Sequence, residues 1–267
     1  MPQTVIDMTA RLPRSATRSS EAHCFCATSL EQVESAWQLV YQRYSQMGLI
    51  DENTFGIHAG PVAVGQHACV IWGPEGPGVG YTMTLFHDNP LGVALDSVYG
   101  RELDELRGSG RRLAEVGMLA DRRQSAARGV GALFSMMRWA IHYGLHTDLT
   151  DIVIGVHPRH AQFYVRCYGF EEFAAPTSYP MVRNNPVIGL RLRLREGLAN
   201  DLLPRGLADA RDNPIPASAF SHRFMFEPEQ LHGSLIAGFL KDRYGVDPGQ
   251  KADPGLASFD LARSVQA

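Results

Sequence analysis

The pattern of hydrophobic and polar positions along the chain predicts a series of helices. Apolar residues recur at helical spacing over residues 30–47, where Ser29 can N-cap the helix. A second stripe of the same spacing covers residues 130–146. Two further helices are expected, one from about Asp96 and one over the segment PRHAQFYVRCYGF, which has proline near its start and glycine near its end.

Continuous or alternating apolar runs predict strands between these helices. The runs are HCFCATS, VAVGQHACVIW, YTMTLF, RRLAEVGMLA, DIVIGV and NPVIGLRLRL. The second and third runs are joined by PEGPGVG, whose glycines and prolines predict a hairpin turn. The order of elements therefore predicts a mixed α/β sheet with helices packed on it, and residues 113–156 form a candidate right-handed βαβ crossover.

Changes in composition divide the chain into three parts. Residues 1–20 are polar and rich in serine and arginine, and we expect a mobile N-terminal segment there. Residues 21–195 carry the sheet pattern and are expected to form one domain. Residues 196–267 hold proline- and aspartate-rich segments around a single helical segment, EPEQLHGSLIAGFLKDRYG, and predict a C-terminal helical appendage. The sequence leaves open whether this appendage is a lid or a homodimer contact.

Composition then excludes several classes of protein. A hydrophobic content of 45% and a charged content of 20% are typical of a globular chain, and the net charge of −3 argues against general nucleic-acid binding. The N-terminus lacks the apolar core of a secretory signal, and no run approaches the roughly 20 apolar residues of a membrane span. We therefore expect a cytoplasmic protein without a transmembrane segment. The cysteines are interpreted as reduced and mostly buried thiols: Cys24, Cys26, Cys69 and Cys167.

A lone glutamate, Glu115, stands inside the apolar strand segment EVGMLA. Strand alternation places it on one face with Leu113, Gly117 and Leu119. A carboxylate that is shielded from water by apolar neighbours has its pKa raised towards neutrality and can act as a general base. The alternative is a glutamate at the strand edge that faces water or pairs with a nearby arginine. Spacing alone does not separate the two interpretations.

The segment RGVG, which follows this strand, can form an anion site. Eight arginines stand against five acidic residues between Arg101 and Arg138, so the region is locally basic. The backbone N–H groups of a turn that opens a helix point outward and favour an anion, and here they belong to Arg128, Gly129, Val130 and Gly131. The side chains that could neutralise a pyrophosphate are Arg122, Arg123 and Arg128. A plain loop before a helix is the alternative.

Other kinds of site have less support in the sequence. The chain lacks both a P-loop and a G-x-G-x-x-G fingerprint, and it has no G-x-S-x-G nucleophile elbow. Two pairs of histidines stand close in sequence, His142 with His146 and His157 with His160. Neither pair has a clear third ligand, and no glutamate stands between His142 and His146 as in a metalloprotease motif, so no metal site is expected.

Together these segments resemble the GNAT acyltransferase superfamily, in which a splayed strand admits an acyl thioester and a glycine-rich turn binds its phosphates. The nearer resemblance is to the FeeM-like N-acyl amino acid synthases, relatives of the acyl-homoserine-lactone synthases. It is carried by ATSLEQVESAWQLVYQRYSQMGLI, by YTMTLFHDNPLGVALDSVYGRELDELRGSGRRLAEVGMLA and by HPRHAQFYVRCYGFEEF, and it spans about residues 22–195. The implied fold is α/β (α+β), with a GNAT-like mixed, mostly antiparallel central sheet flanked by helices.

The resemblance also implies an activity, the transfer of an acyl group from an acyl carrier protein or CoA thioester to the amine of an amino acid. Glu115 matches the acidic residue that deprotonates the amine, and backbone N–H groups near Leu119 would polarise the thioester carbonyl. The residues that match the carrier-phosphate region are Arg122, Arg123, Gly129 and Gly131. No tightly bound cofactor or metal is implied. Acyl-ACP (phosphopantetheine) or acyl-CoA is the co-substrate, and acyl carrier protein is the expected partner.

The chain departs from the family pattern at two notable positions. An arginine usually follows the glutamate by three residues, and this chain has Met118 there. The general-acid tyrosine of GNAT enzymes usually lies four residues before the glycine that Gly169 matches, whereas Tyr164 lies five before it. Two alternative functions stay open: an acetyl-CoA-dependent transferase or homoserine-lactone-type signal synthase of the same fold, and a non-catalytic module that binds acyl carrier protein or an acyl chain.

Overall fold

A computed structural model describes residues 23–65, 67–123 and 126–249, with the backbone alone for residues 126–128. The predicted mobile segment at residues 1–20 lies outside the described residues. Within them, none of the helices is both long and apolar enough to cross a membrane. All four cysteines are free and buried, as predicted.

The described chain alternates helices and strands in the order that the sequence predicts up to α4. The strands are β1 (Phe25–Cys26), β2 (Cys69–Glu75), β3 (Gly78–His87), β4 (Leu113–Asp121), β5 (Asp151–Val156), β6 (Glu171–Tyr179) and β7 (Asn185–Arg193). The helices are α1 (Leu30–Gln46), α2 (Asp96–Gly108), α3 (Ala126–His146), α4 (Pro158–Tyr168), α5 (Leu194–Leu198), α6 (Arg205–Asp212), α7 (Pro228–Leu231) and α8 (Leu235–Tyr244).

The strands form one seven-stranded sheet in the order β1-β2-β3-β4-β5-β7-β6. Only the central pair, β4 and β5, is parallel, and α3 is the crossover between them. All other neighbours are antiparallel. The predicted mixed, mostly antiparallel sheet flanked by helices is therefore confirmed, and so is the parallel pairing of the predicted βαβ unit.

Each face of the sheet carries its own core. The first core is formed by α3, α4 and the sheet face that bears Ala114 and Val116. The second is formed by α1, α2 and the opposite face, which bears Leu113 and Val153. Helix α1 begins where Ser29 Oγ accepts the N–H of Gln32, as the capping pattern predicts. The sheet is thus covered on both sides by apolar helix faces.

The segment after residue 195, expected as an appendage, contributes to both cores. Its described residues include Leu207 and Phe220 in the first core and Phe226 and Phe239 in the second. The chain crosses from one face to the other past β1, where the Phe224 N–H donates to the carbonyl of Ala27 at 2.6 Å. Apolar residues in this segment are spaced irregularly, so their burial could not be predicted from a helical or strand periodicity.

Two further differences from the sequence prediction concern strands. No strand was expected over β6, whose segment EEFAAPTSY is mostly exposed and contains Pro176 at the sheet edge, where proline is tolerated. The predicted strand VAVGQHACVIW begins only at Cys69, because Pro61–Val64 forms a 3₁₀ turn. Proline fixes the backbone at the first position of such a turn.

The Phe226 ring tests whether the tail is part of the folded unit. It stacks on Trp37 of α1 with the ring centroids 5.6 Å apart and is 5% exposed. We expect Phe226→Ala to lower the free energy of unfolding by about 3–5 kcal/mol, the usual cost of emptying a buried aromatic site. Urea denaturation measures the change. Leu202→Ala is the matched control, since Leu202 is 91% exposed. Equal stability of both variants would show that the tail docks independently of the core.

Candidate active site

The site is built where the two parallel strands separate. β4 and β5 pair only through Leu113–Asp151, Ala114–Ile152 and Glu115–Val153. Beyond this point β4 stays with β3 as far as Asp121, and β5 stays with β7 as far as Val156. Residues 116–120 therefore have no partner strand on the side that faces β5. The separation opens the sheet next to Glu115.

A cavity of about 380 Å³ occupies this opening and passes through the sheet. One part of its wall belongs to the first core, with Leu133 and Met136 of α3. Another part belongs to the second core, with Phe86 of β3 and Val62. The volume falls within the range of small-ligand sites, about 300–1,000 Å³. A ligand in the cavity would contact both faces of the sheet.

Glu115 points into this cavity from the last paired position of β4. Its side chain is 5% exposed. Carboxylate atom Oε2 accepts the N–H of Leu95 at 2.9 Å, at the start of α2. A Cβ atom on Gly117 would lie 3.6 Å from Oε1 and 3.4 Å from the Phe86 ring, so glycine leaves room beside the carboxylate. Of the two positions that strand spacing leaves open for this glutamate, the structure shows the shielded one.

The environment of Glu115 suits a general base. Burial raises its pKa from the ordinary 4.5 to about 8, and the nearby charge of Asp96 acts in the same direction. The N–H groups of Leu95 and Ala94 oppose this rise, because they stabilise the charged form. A carboxyl group with a pKa near the working pH can both take up and release a proton.

Met118 breaks the regular alternation of β4. It has a φ of 52°, in the left-handed region, and the register with β3 shifts there, since Thr82 faces Ala120 but Thr84 faces Gly117. Because of this β-bulge, the prediction that Leu119 shares a face with Leu113 is wrong. Leu119 packs towards the first core, on the face opposite Leu113. An extra residue in one strand re-aims the side chains that follow it, and bulges are common beside active sites.

Three tyrosines share the cavity with Glu115. They are Tyr44 of α1, Tyr164 of α4 and Tyr179 of β6. Burial raises the pKa of all three, that of Tyr44 to about 12, so each phenol keeps its proton at neutral pH. The negative charge of Glu115 adds to the rise at Tyr44 and Tyr179. The cavity therefore holds one base and several neutral hydroxyl donors.

The predicted phosphate region lies at the far end of β4, and its arginines differ in how freely they could contact a phosphate. Arg123 forms a bidentate pair with Asp121, at 2.8 and 2.9 Å, and its guanidinium lies 4.1 Å from the centre of the Tyr81 ring. Arg122 is exposed, and its N–H donates to the carbonyl of Gly80. The side chain of Arg128 lies outside the described residues. Arg122 is therefore the more accessible of the two described arginines.

Helix α3 begins at Ala126, which places the RGVG segment inside its first turns and not in a turn before it. The amides of Val130 and Gly131 therefore bond within the helix and are not free donors, contrary to the prediction. Gly129 is buried and lines the cavity, Val130 is half-buried, and Gly131 is exposed with open space around it. The free N–H groups of a helix start and its positive dipole end favour an anion. Leu119 also lines the cavity, on the strand between Glu115 and this helix start.

The histidine pairs have structural roles or lie at the cavity edge. His142 and His146 donate from Nε2 to the carbonyls of Ala210 and Ile215, each at 2.8 Å, and so hold the tail. His157 N-caps α4 by accepting the N–H of Arg159. Within the described ranges, no group of three histidine, cysteine, aspartate or glutamate side chains is arranged to hold a metal ion.

Comparison with known proteins identifies the family. A model of the N-acyl amino acid synthase FeeM family matches residues 35–193, more than half of the chain. The chain belongs to the FeeM N-acyl amino acid synthase family. It is accordingly an N-acyltransferase, and the predicted resemblance is confirmed. No curated protein sequence matches the chain.

Solved structures support the same fold. FeeM, an N-acyl amino acid synthase from uncultured soil microbes, is 25% identical, with a TM-score of 0.58 over 65% of this chain and 90% of that chain. The acyl-homoserine-lactone synthase LasI is 14% identical, with a TM-score of 0.50 over 65% and 91%. TofI, in a complex with an inhibitor and MTA, is 12% identical, with a TM-score of 0.51 over 69% and 99%. The latter two likenesses concern the fold alone.

Sequence reasoning missed Tyr44, Tyr179 and the backbone partner of Glu115 at Leu95. Tyr44 lies in the apolar stripe over residues 30–47, where the spacing favours packing against the core, while Tyr179 ends the strand that no pattern predicted. Every residue type except proline carries a backbone amide, so the sequence does not show which amide binds Glu115. Only the fold identifies Leu95 as the donor. The tyrosine hydroxyl is the one signal that could have separated Tyr44 from its apolar neighbours.

The raised pKa of Glu115 makes stability depend on pH. The folded protein keeps the proton up to a pH near 8, whereas the unfolded chain loses it near 4.5. Since the folded state binds more protons between these values, the free energy of unfolding should fall as pH rises through this window. Each pKa unit corresponds to about 1.4 kcal/mol. Glu115→Gln should remove this decline, as measured by urea denaturation from pH 4.5 to 8.5.

Glu105→Gln is the control for that measurement. Glu105 lies on α2, is exposed and pairs with Arg101 at the surface. This variant should keep the pH dependence of the unmodified protein. If Glu115→Gln declines with pH as steeply as the unmodified chain does, the carboxyl is ionised in the folded protein and its assignment as a raised-pKa group is wrong.

Proposed function

We propose that this protein transfers an acyl group from a phosphopantetheine thioester to the α-amine of an amino acid, with Glu115 as the general base. The observation that carries the proposal is the buried carboxyl group of Glu115 at the point where β4 and β5 separate, a position where burial raises its pKa to about 8. The family supplies the reaction class, and this position supplies the base that the reaction needs.

The reaction is a direct aminolysis within one cavity. The amine nitrogen attacks the thioester carbon, the new C–N bond forms, and Glu115 takes one proton from the nitrogen. The C–S bond then breaks, and the departing sulfur takes a proton from a neutral hydroxyl donor. The proton held by Glu115 passes to that hydroxyl, so both groups regain their starting states. Tyr44, Tyr164 and Tyr179 keep their protons at neutral pH and line the same cavity. The products are an amide and a thiol, so no metal or redox partner is needed.

The donor end of the site is proposed at Leu119 and the start of α3. The thioester carbonyl would lie against residues 116–120, which have no partner strand on the side that faces β5 and whose N–H groups can stabilise the oxyanion. The phosphate of the donor would meet the first turn of α3, where Gly129 has no side chain to obstruct its approach, and the exposed Arg122. Phosphopantetheine is common to acyl carrier protein and CoA. Acyl carrier protein is the proposed partner, with acyl-CoA as the alternative donor.

The acyl chain is proposed to occupy the apolar wall of the cavity. Leu133 and Met136 line one side, and Val62 and Phe86 line another. Met118, where the family usually has arginine, also lines the cavity and packs with the second core. Methionine is flexible and fills irregular apolar space. These walls favour an acyl chain longer than acetyl.

The acceptor carboxylate is proposed to bind Arg43. This half-buried arginine lines the cavity one residue before Tyr44 on α1. Its guanidinium donates to Gln46 at 2.8 Å, and no carboxylate of the described chain forms an ion pair with it. A cation without a protein counter-charge at a ligand cavity favours an anionic ligand. An amino acid brings both this carboxylate and the amine that Glu115 would deprotonate.

Glu115→Gln tests the base directly. We expect kcat to fall by about 10²–10⁴-fold, because proton transfer from the amine loses its acceptor. Acyl-thioester binding should persist. Product is measured by mass spectrometry of reactions with acyl-ACP or acyl-CoA and a mixture of amino acids, and binding by titration with a non-hydrolysable thioether analogue. The analogue controls for folding of the variant.

The same assay separates the enzyme from a non-catalytic binding module. A module would bind the thioether analogue but yield no N-acyl product even from the unmodified protein. A signal synthase would yield a lactone, and an acetyltransferase would prefer acetyl-CoA over long acyl donors. Each of these results would overturn the proposed reaction or its acceptor.

Arg43→Gln tests the acceptor site. The change should raise KM for the amino acid by about 10–100-fold, since a hydrogen bond to a charged group contributes about 1.5–3 kcal/mol. KM for the acyl donor and for an amine without a carboxylate should stay unchanged. Arg159→Gln is the matched variant, because Arg159 also lines the cavity. If only Arg159→Gln raises KM for the amino acid, the carboxylate binds there and the assignment to Arg43 is wrong.

A further inference from the structure

An arginine near the end of α2 joins two aspartates, one of which, Asp96, lies close to Glu115. Arg107 makes a two-bond contact with Asp88, at 2.7 and 2.8 Å, and another with Asp96, at 2.6 and 2.7 Å. All three side chains are three-quarters or more buried. We call Arg107, Asp88 and Asp96 the Arg107 cluster. Paired bonds of this kind fix both position and orientation.

The cluster depends on a kink in α2. In an unbroken helix, eleven residues would separate Asp96 and Arg107 by about 16 Å along the axis. Tyr99, with φ −129° and ψ 27°, interrupts the helix between them. The hydroxyl of Tyr99 is held at 2.8 Å by the carbonyls of Ala175 and Val187, so the kink is anchored to the sheet edge. The pair between Arg107 and Asp96 thereby links the two parts of α2 on either side of the kink.

The Arg107 cluster fixes the segment that holds the base. Asp96 Oδ2 accepts the N–H of Val93 at 2.7 Å, in the loop that presents the Leu95 N–H to Glu115. The N–H of Asp88 donates to the carbonyl of Leu113 at 3.0 Å, two residues before Glu115 on β4. The cluster is therefore tied both to the strand that carries the base and to the loop that supplies its hydrogen-bond donor.

We infer that Arg107 is a positioning residue for the acyl transfer: by pairing with Asp96 it holds the Leu95 N–H on Glu115 and neutralises the acidic charge nearest to that carboxylate. The inference rests on the proposed role of Glu115 as the base. It assigns to Arg107 two effects on that base, one geometric and one electrostatic, neither of which requires contact with substrate.

The direction of the electrostatic effect follows from the groups around Glu115. Asp96 faces it from α2, Tyr44 from α1 and Tyr179 from β6. Both tyrosines are neutral at neutral pH, so Asp96 is the charged neighbour whose ionisation bears on Glu115. Loss of Arg107 would expose the charge of Asp96 and disfavour the Glu115 anion, whereas loss of the Asp96 charge would favour it.

The test compares the acidic limb of the pH profile of kcat/KM in two variants. Arg107→Met should move the limb to higher pH by about one unit, and Asp96→Asn should move it to lower pH. A purely structural role would lower kcat/KM in both variants without moving the limb. The proposal is overturned if the limb stays in place, or if both variants move it in the same direction.

Controls separate this inference from the proposed function. Asp104→Asn removes the exposed third partner of Arg107 and should leave the limb where it is. If Glu115→Gln keeps full activity, the base assignment itself fails. If Glu115→Gln is inactive but Arg107→Met and Asp96→Asn leave the limb unchanged, only the positioning role fails. Should Arg107→Met not fold, Asp96→Asn decides alone, since lost packing does not shift the limb downward.

Discussion

The short pairing between β4 and β5 is the constraint on which the site depends. The two strands share only three register pairs, while each stays bonded to its other neighbour well beyond them. The sheet therefore behaves as two half-sheets joined at a narrow base. Buried backbone groups need partners, so the opening favours a ligand with its own polar groups. Glu115 stands at the last joined position, where a ligand from either face can reach it.

A second consequence of this position is the electrostatic balance at Glu115. Burial and Asp96 favour the neutral acid, while the amides of Leu95 and Ala94 favour the anion. The usual arginine three residues later would add a direct cation to this balance, but Met118 removes it. In this chain the cation Arg107 influences Glu115 indirectly. It pairs with Asp96 and neutralises its charge, and it leaves Glu115 in apolar surroundings. The methionine is thus consistent with a base whose pKa stays high.

The sequence could predict elements with a regular period but not the places where the period fails. Helix α1, strand β5 and the β4–β5 crossover follow directly from spacing. The face of Leu119 does not, because the bulge at Met118 adds a residue that alternation cannot detect. Strand β6 was not predicted, because an exposed edge strand need not carry an apolar pattern. The strand that carries Glu115 was predictable, whereas the burial of its carboxylate and its amide partner depend on tertiary contacts.

The segment after residue 195 helps to fix helix α1, which forms one wall of the cavity. Phe226 stacks on Trp37, whose Nε1 donates to Thr84 at 3.0 Å, and Thr84 faces Gly117 across the strand pair. Further along the tail, the N–H of Leu235 donates to the carboxylate of Glu34 on α1 at 2.8 Å. These contacts press α1 onto the sheet beside the bulge. Because α1 carries Tyr44 into the cavity, a segment remote in sequence from the motif residues helps to fix the wall that faces Glu115.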